Sequence, residues 1–161
     1  MTVTDVRKHP DRLEMEIDSE FAAPIERVWQ LLADPRQLER WWGPPTHPAT
    51  FTDFDLTPGG SVGYFMTGPE GERYHGWWKV REVSPPTRLE VQDGFGDDDG
   101  EPNPDMPVNI TRFELVASGS VTRMTIRSTF PTAEAMEQTL AMGAEEGMKQ
   151  ALGQIDALLA D

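Results

Sequence analysis

His75 and Asp55 are the side chains in this sequence best suited by type to move a proton, and neither comes with an obvious partner. The three histidines, His9, His47 and His75, are far apart and show no metal-ligand spacing. His75 falls on a predicted strand beside Trp77 and Trp78. Buried among those rings it would titrate low and serve as a neutral acid or base; facing outward it would be structural. Asp55 could take the same role only as a buried carboxylate. The absence of cysteine removes disulfides, thiolate nucleophiles and cysteine-ligated metals. The sequence has no nucleophile elbow, zinc-protease helix, phosphate-binding glycine loop or dinucleotide fingerprint, so neither a metal nor a cofactor is expected. The acidic run 94–105 (GFGDDDGEPNPD) would set Phe95 and Met106 at the first and last positions of a calcium loop. Both fail as ligands, and the run reads as a solvated hairpin loop.

The remaining constellation is apolar and aromatic. Val62, Tyr64 and Met66 share one face of a predicted strand, and Tyr74, Trp78 and Val80 share one face of the next. The WWGPP motif sets Trp41 and Trp42 at a helix exit. If the sheet curls round the last helix, these rings converge with Met66, Met136 and Leu140 near Gly143 and Gly147. Such residues either fill a core or line a pocket. In a pocket, the Tyr64 and Tyr74 hydroxyls and an indole N–H would supply the orienting polar groups.

The elements that must position these residues are legible from periodicity. One long helix is predicted over 132–159, its C-terminal half carrying Met148, Leu152, Ile155 and Leu159 at core spacing. Its N-terminal half carries Gly143 and Gly147, each costing roughly 1 kcal/mol against alanine in a helix interior. Either another backbone approaches there or the space is left open. Leu13, Met15 and Ile17 alternate with Glu14, Glu16 and Asp18, which predicts a strand with one wet face. Two short helices follow, the first starting near Pro24 and the second after Asp34-Pro35. Turn residues then delimit six more strands, making an antiparallel meander. The expectation is an α+β fold: a curved antiparallel sheet of about six to seven strands, two short helices after the first strand, and a long C-terminal helix. Residues 1–11 read as a flexible leader and 12–160 as a single domain.

The net charge of −14 argues against nucleic acid and anionic membrane surfaces as partners. No signal-like or membrane-length apolar run occurs, and a cytoplasmic location is expected.

Three stretches carry a family resemblance: FAAPIERVWQLLADPRQLERWWGP, DFDLTPGGSVGYFMTGPEG and GWWKVREVSPPTRLE, with MEQTLAMGAEEGMKQALGQIDALL as the closing helix. Their order and spacing resemble the START-like (SRPBCC) helix-grip superfamily. The closer likeness is to the branch of activator of heat-shock-protein-90 ATPase homologues, whose bacterial members are often called polyketide-cyclase-like. The resemblance implies a hydrophobic cavity between sheet and C-terminal helix, and so an open space beside Gly143 and Gly147. Thr57 stands where a basic residue often precedes the Pro-Gly-Gly turn, which argues against an anion contact there. Three functions follow as expectations. The first is non-catalytic binding of a small hydrophobic or aromatic molecule. The second is a polyketide-cyclase-like enzyme using the same cavity, and the third a chaperone-binding interaction module. A homodimer is compatible with each.

Overall fold

The computed structural model describes residues 3–160 as one eight-stranded sheet with helices packed on it. The strands are β1 (Val3–His9), β2 (Glu14–Phe21), β3 (Ala49–Phe54), β4 (Ser61–Thr67), β5 (Arg73–Ser84), β6 (Arg88–Phe95), β7 (Val108–Ser118) and β8 (Val121–Thr129). Their spatial order is β1-β2-β8-β7-β6-β5-β4-β3, and every neighbouring pair is antiparallel. Helices α1 (Ile25–Ala33) and α2 (Pro35–Leu38) carry the chain from β2, near one edge, to β3 at the other. The Asp34 side chain accepts from the Arg36 amide at 2.9 Å and so caps α2.

Alternation divides each strand between two faces. The inner face carries Met15, Ile17, Tyr64, Trp78, Val91, Phe113 and Ile126, all in the buried core with the apolar side of α1. The outer face carries Glu16, Asp18, Glu90, Arg112 and Arg127. Register shifts between Phe51 and Asp53 and between Val80 and Glu82 mark bulges, which bend β3 and β5.

Two expectations are corrected. The leader is not loose over residues 3–9: these form β1, paired with β2. Val3 and Val6 pack on the core, and Arg7 reaches Asp18 at 2.6 Å. Much of what holds this strand is cross-strand charge, which apolar patterning does not register. Residues 1–2 lie outside the described residues. The C-terminal helix is not continuous either. It runs as α3 (Ala133–Ala141), α4 (Ala144–Leu152) and α5 (Ile155–Leu159). The break between α3 and α4 falls at Gly143, whose φ of +84° is the left-handed conformation that a residue without Cβ adopts at little cost. The helical period survives such a break, so spacing alone does not reveal it. Among the described residues no helix is long and apolar enough to cross a membrane.

Candidate functional site

A cavity of about 310 Å³ lies between the inner face of the sheet and the α3–α4 pair. That volume is at the lower end of small-molecule sites. Met15 and Ile17 of β2, Ile126 of β8, Met66 of β4 and Met148 of α4 supply apolar wall. Gly147 borders the same space, and a Cβ built there would meet nothing within 4 Å. Tyr74 and Met142 also border it and stay 55% and 53% exposed, so the mouth opens between the start of β5 and the α3–α4 break.

One end of the cavity is aromatic. Trp42 packs edge-on against Trp78 at 5.1 Å and Tyr64 at 6.3 Å, and Tyr64 stacks on Phe51 at 4.9 Å. Gly76, directly opposite Tyr64 across the ladder, makes this possible, since a Cβ there would lie 2.4 Å from the phenol ring. The Tyr64 phenol therefore lies over β5. Burial, and then the nearby charge of Asp93, push its pKa well above the usual tyrosine range. The Trp42 and Trp78 indoles lie close enough to oppose that shift. Neither N–H has a partner in hydrogen-bonding geometry.

The polar part of the wall is built from β6 and β7. Asp93 is the register partner of both Trp78 on β5 and Asn109 on β7. The Thr111 hydroxyl donates to Asp93 Oδ2 at 3.2 Å. Burial pushes the Asp93 carboxyl up to about 7 against that hydrogen bond. Asp93 is half-buried and borders the cavity. Asn109 Oδ1 and, on the facing helix, Thr139 Oγ1 are buried without a hydrogen-bond partner. Buried polar atoms are normally paired, so a cluster of exceptions around one hole calls for an explanation.

Of the residues singled out in the sequence, Trp42, Tyr64, Met66, Tyr74, His75 and Gly147 meet at the cavity. Trp41 and Trp78 sit one layer behind it in the core, and the Trp41 indole donates to the Leu31 carbonyl at 2.9 Å. Met136 is buried and Leu140 packs on the core; Thr139 and Met142 take the lining positions of that segment instead. Gly143 forms the break and does not line the wall. His75 borders the cavity, but its ring packs beside Phe65 at 5.7 Å, on the face turned away from Tyr64. Asp55 is a correction: it is exposed in the β3–β4 turn, where it accepts from the Thr57 hydroxyl at 2.7 Å. It serves the turn and is not at the cavity.

Asp93, Asn109 and Thr111 were missed by sequence reasoning, although a signal was present. Leu89, Val91 and Asp93 are in one phase, as are Asn109, Thr111, Phe113 and Leu115. A carboxylate and an amide that continue a buried apolar stripe are polar groups directed at an interior.

Comparisons with known proteins fall in line with this architecture. Residues 22–160 match the family model described as Activator of Hsp90 ATPase homolog 1-like protein. The crystal structure of protein Ms6760 from Mycobacterium smegmatis is similar at 51% identity and a TM-score of 0.90, over 98% of this chain and 96% of that one. A solution structure of a protein from Arthrobacter aurescens is similar at 46% identity and a TM-score of 0.95, over 99% and 92%. DynU16, from the dynemicin biosynthetic locus, shares the fold at 18% identity and a TM-score of 0.64, over 89% of this chain and 47% of that one. Among curated proteins none matches.

Proposed function

Since this chain belongs to the family of Activator of Hsp90 ATPase homolog 1-like proteins, within the START-like superfamily, we propose that it binds a small hydrophobic or aromatic molecule between its sheet and its C-terminal helices. The observation that carries this reading is the set of unpartnered buried polar atoms, Trp42 Nε1, Asn109 Oδ1 and Thr139 Oγ1, around one mostly apolar cavity. Apolar burial at roughly 25 cal/mol per Å² supplies affinity, and the polar atoms supply orientation. The test is a thermal-shift and native mass-spectrometry screen with aromatic lipophiles. The wild type gains stability on binding. Gly147→Phe fills the empty space beside α4 and abolishes the gain while the protein stays folded. A panel that shifts neither protein overturns the reading.

Asp93 favours a second reading, an acid–base enzyme of the cyclase kind. A carboxyl titrating at about 7 on the wall of a mostly apolar cavity holds and releases a proton near neutrality. On that reading Asp93→Asn keeps ligand affinity and loses turnover of a carbonyl substrate. Retained turnover overturns it.

A further inference from the structure

We infer that the guest carries a protonated amine beside its hydrophobic body, with Asp93 as its counter-charge and Asn109 as a second acceptor. This rests on the cavity-binding reading above and narrows it to one class of ligand. Asp93 and Asn109 are direct cross-strand partners, so their side chains stand next to each other on the inner face. The Thr111 hydroxyl occupies one Asp93 oxygen. Among the described residues the carboxyl has no other hydrogen bond and no ion pair. Asn109 Oδ1 beside it is an acceptor with no donor, in a residue only 8% exposed. Two neighbouring acceptors thus border the same apolar hole, and the protein supplies only one hydroxyl to them.

Neither lysine nor arginine contributes to the cavity wall. The other titratable groups there are Tyr64 from β4 and Tyr74 and His75 from β5; β2, β7, β8, α3 and α4 bring none. A buried carboxylate without a cation is costly, and an ammonium from the guest would offset that cost with a charge-assisted hydrogen bond. Its three donors match the free Asp93 oxygen, Asn109 Oδ1 and a hydroxyl of Tyr64 or Thr139. The rings of Trp42 and Tyr64 border the same space and attract a cation through their faces. At this polar wall a carboxylate guest would meet two acceptors and bring no donor, while the Trp42 indole N–H on the aromatic side suits an acceptor elsewhere on the guest. The chain's net charge of −14 also draws cations toward the molecule. An ammonium beside Asp93 lowers the carboxyl's affinity for its proton. Binding therefore releases a proton near neutrality, and amine affinity rises between about pH 6 and pH 8.

Three probes on one ring separate the possibilities: naphthylethylamine, naphthylethanol and naphthylacetate, titrated calorimetrically at about pH 8. The amine binds at least about tenfold tighter than the alcohol, and naphthylacetate binds weakest. Asp93→Asn erases the amine's advantage over the alcohol. Repeating the wild-type titration at about pH 6.5, where most of the Asp93 carboxyl still holds its proton, in buffers of different ionisation enthalpy reads the released proton directly, without the variant. Equal or tighter binding of the alcohol, or no proton release, overturns the amine inference and leaves hydrophobic binding standing. If none of the three binds, or if Gly147→Phe binds them as the wild type does, the cavity reading falls with it.

Discussion

On the outer face of the sheet Arg7 reaches Asp18 at 2.6 Å, Arg127 reaches Glu16 at 3.0 Å and Arg112 reaches Glu90 at 2.6 Å. On the inner face Asp93 receives one threonine hydroxyl. Strands β6 and β7 carry both arrangements, Glu90–Arg112 on one face and Asp93–Thr111 on the other. Burial raises Glu16, but hydrogen bonds and charge from Arg127, with His9 and Arg7, pull it below the usual glutamate range. The Arg7 hydrogen bond, against burial, lowers Asp18 in the same way, helped by the Thr125 hydroxyl. Burial moves Asp93 the other way, opposed by the Thr111 hydroxyl. Outside, charge is matched within the protein and contributes to solubility and to strand pairing. Inside, a carboxyl that accepts from one threonine hydroxyl borders the cavity and holds its proton up to about pH 7.

The contrast sharpens or breaks on four measurements. The largest effect belongs to the inner-face core. Trp41→Ala loses about 3–5 kcal/mol of unfolding free energy in urea titrations, because a fully buried indole leaves a cavity and orphans the Leu31 carbonyl. Next is the pH dependence of Asp93. Its folded value of about 7 lies above the ordinary 3.8, so the native state holds the proton more tightly. Stability from this group is greatest below about pH 4, falls as pH rises to about 7, and is flat beyond. Asp93→Asn removes that slope, matching the wild type near pH 4 and exceeding it at pH 8 by an amount of order 3 kcal/mol. Asp18 and Glu16 work with the opposite sign. Their contribution is present above their ordinary values and is lost as pH falls through their lowered folded ones.

A smaller effect separates the two helix glycines. Gly147→Ala gains about 1 kcal/mol, since its Cβ enters empty space on a regular helix. Gly143→Ala loses about 1 kcal/mol, since its φ of +84° disfavours any Cβ. Equal signs for the pair would remove the distinction between wall and break. The smallest effect is outside. Arg123→Ala disrupts a well-exposed pair with Glu20 at 2.9 Å and changes stability by less than about 1 kcal/mol, less again in high salt.

The sequence revealed the strands wherever apolar residues alternate or turn residues delimit them, as in Leu13–Ile17 and Thr57-Pro58-Gly59-Gly60. It did not reveal β1, since charged pairs such as Arg7–Asp18 form between segments whose pairing is unknown beforehand. The aromatic half of the site, Trp42, Tyr64 and Met66, followed from side-chain type and phase. The polar half was not singled out, because Asp93 is a lone carboxylate at the end of a predicted strand and no catalytic spacing marks it. Its phase with Leu89 and Val91 turns it inward, and only the register sets it beside Trp78 and Asn109. Tyr64 over Gly76 is likewise a contact between strands, with no trace in either strand alone.

The positive φ at Gly143 has a mechanical consequence. A single unbroken rod over the interior would have to tilt as a whole to let anything pass. Two nine-residue segments joined at a left-handed residue take separate directions, and helices that short depend on their packing for persistence. The half bearing Gly147 is held by its own buried end, Ala151 and Leu152, and by the Lys8–Glu145 pair to β1, so its course over the cavity is set by those contacts and not inherited from the helix before it.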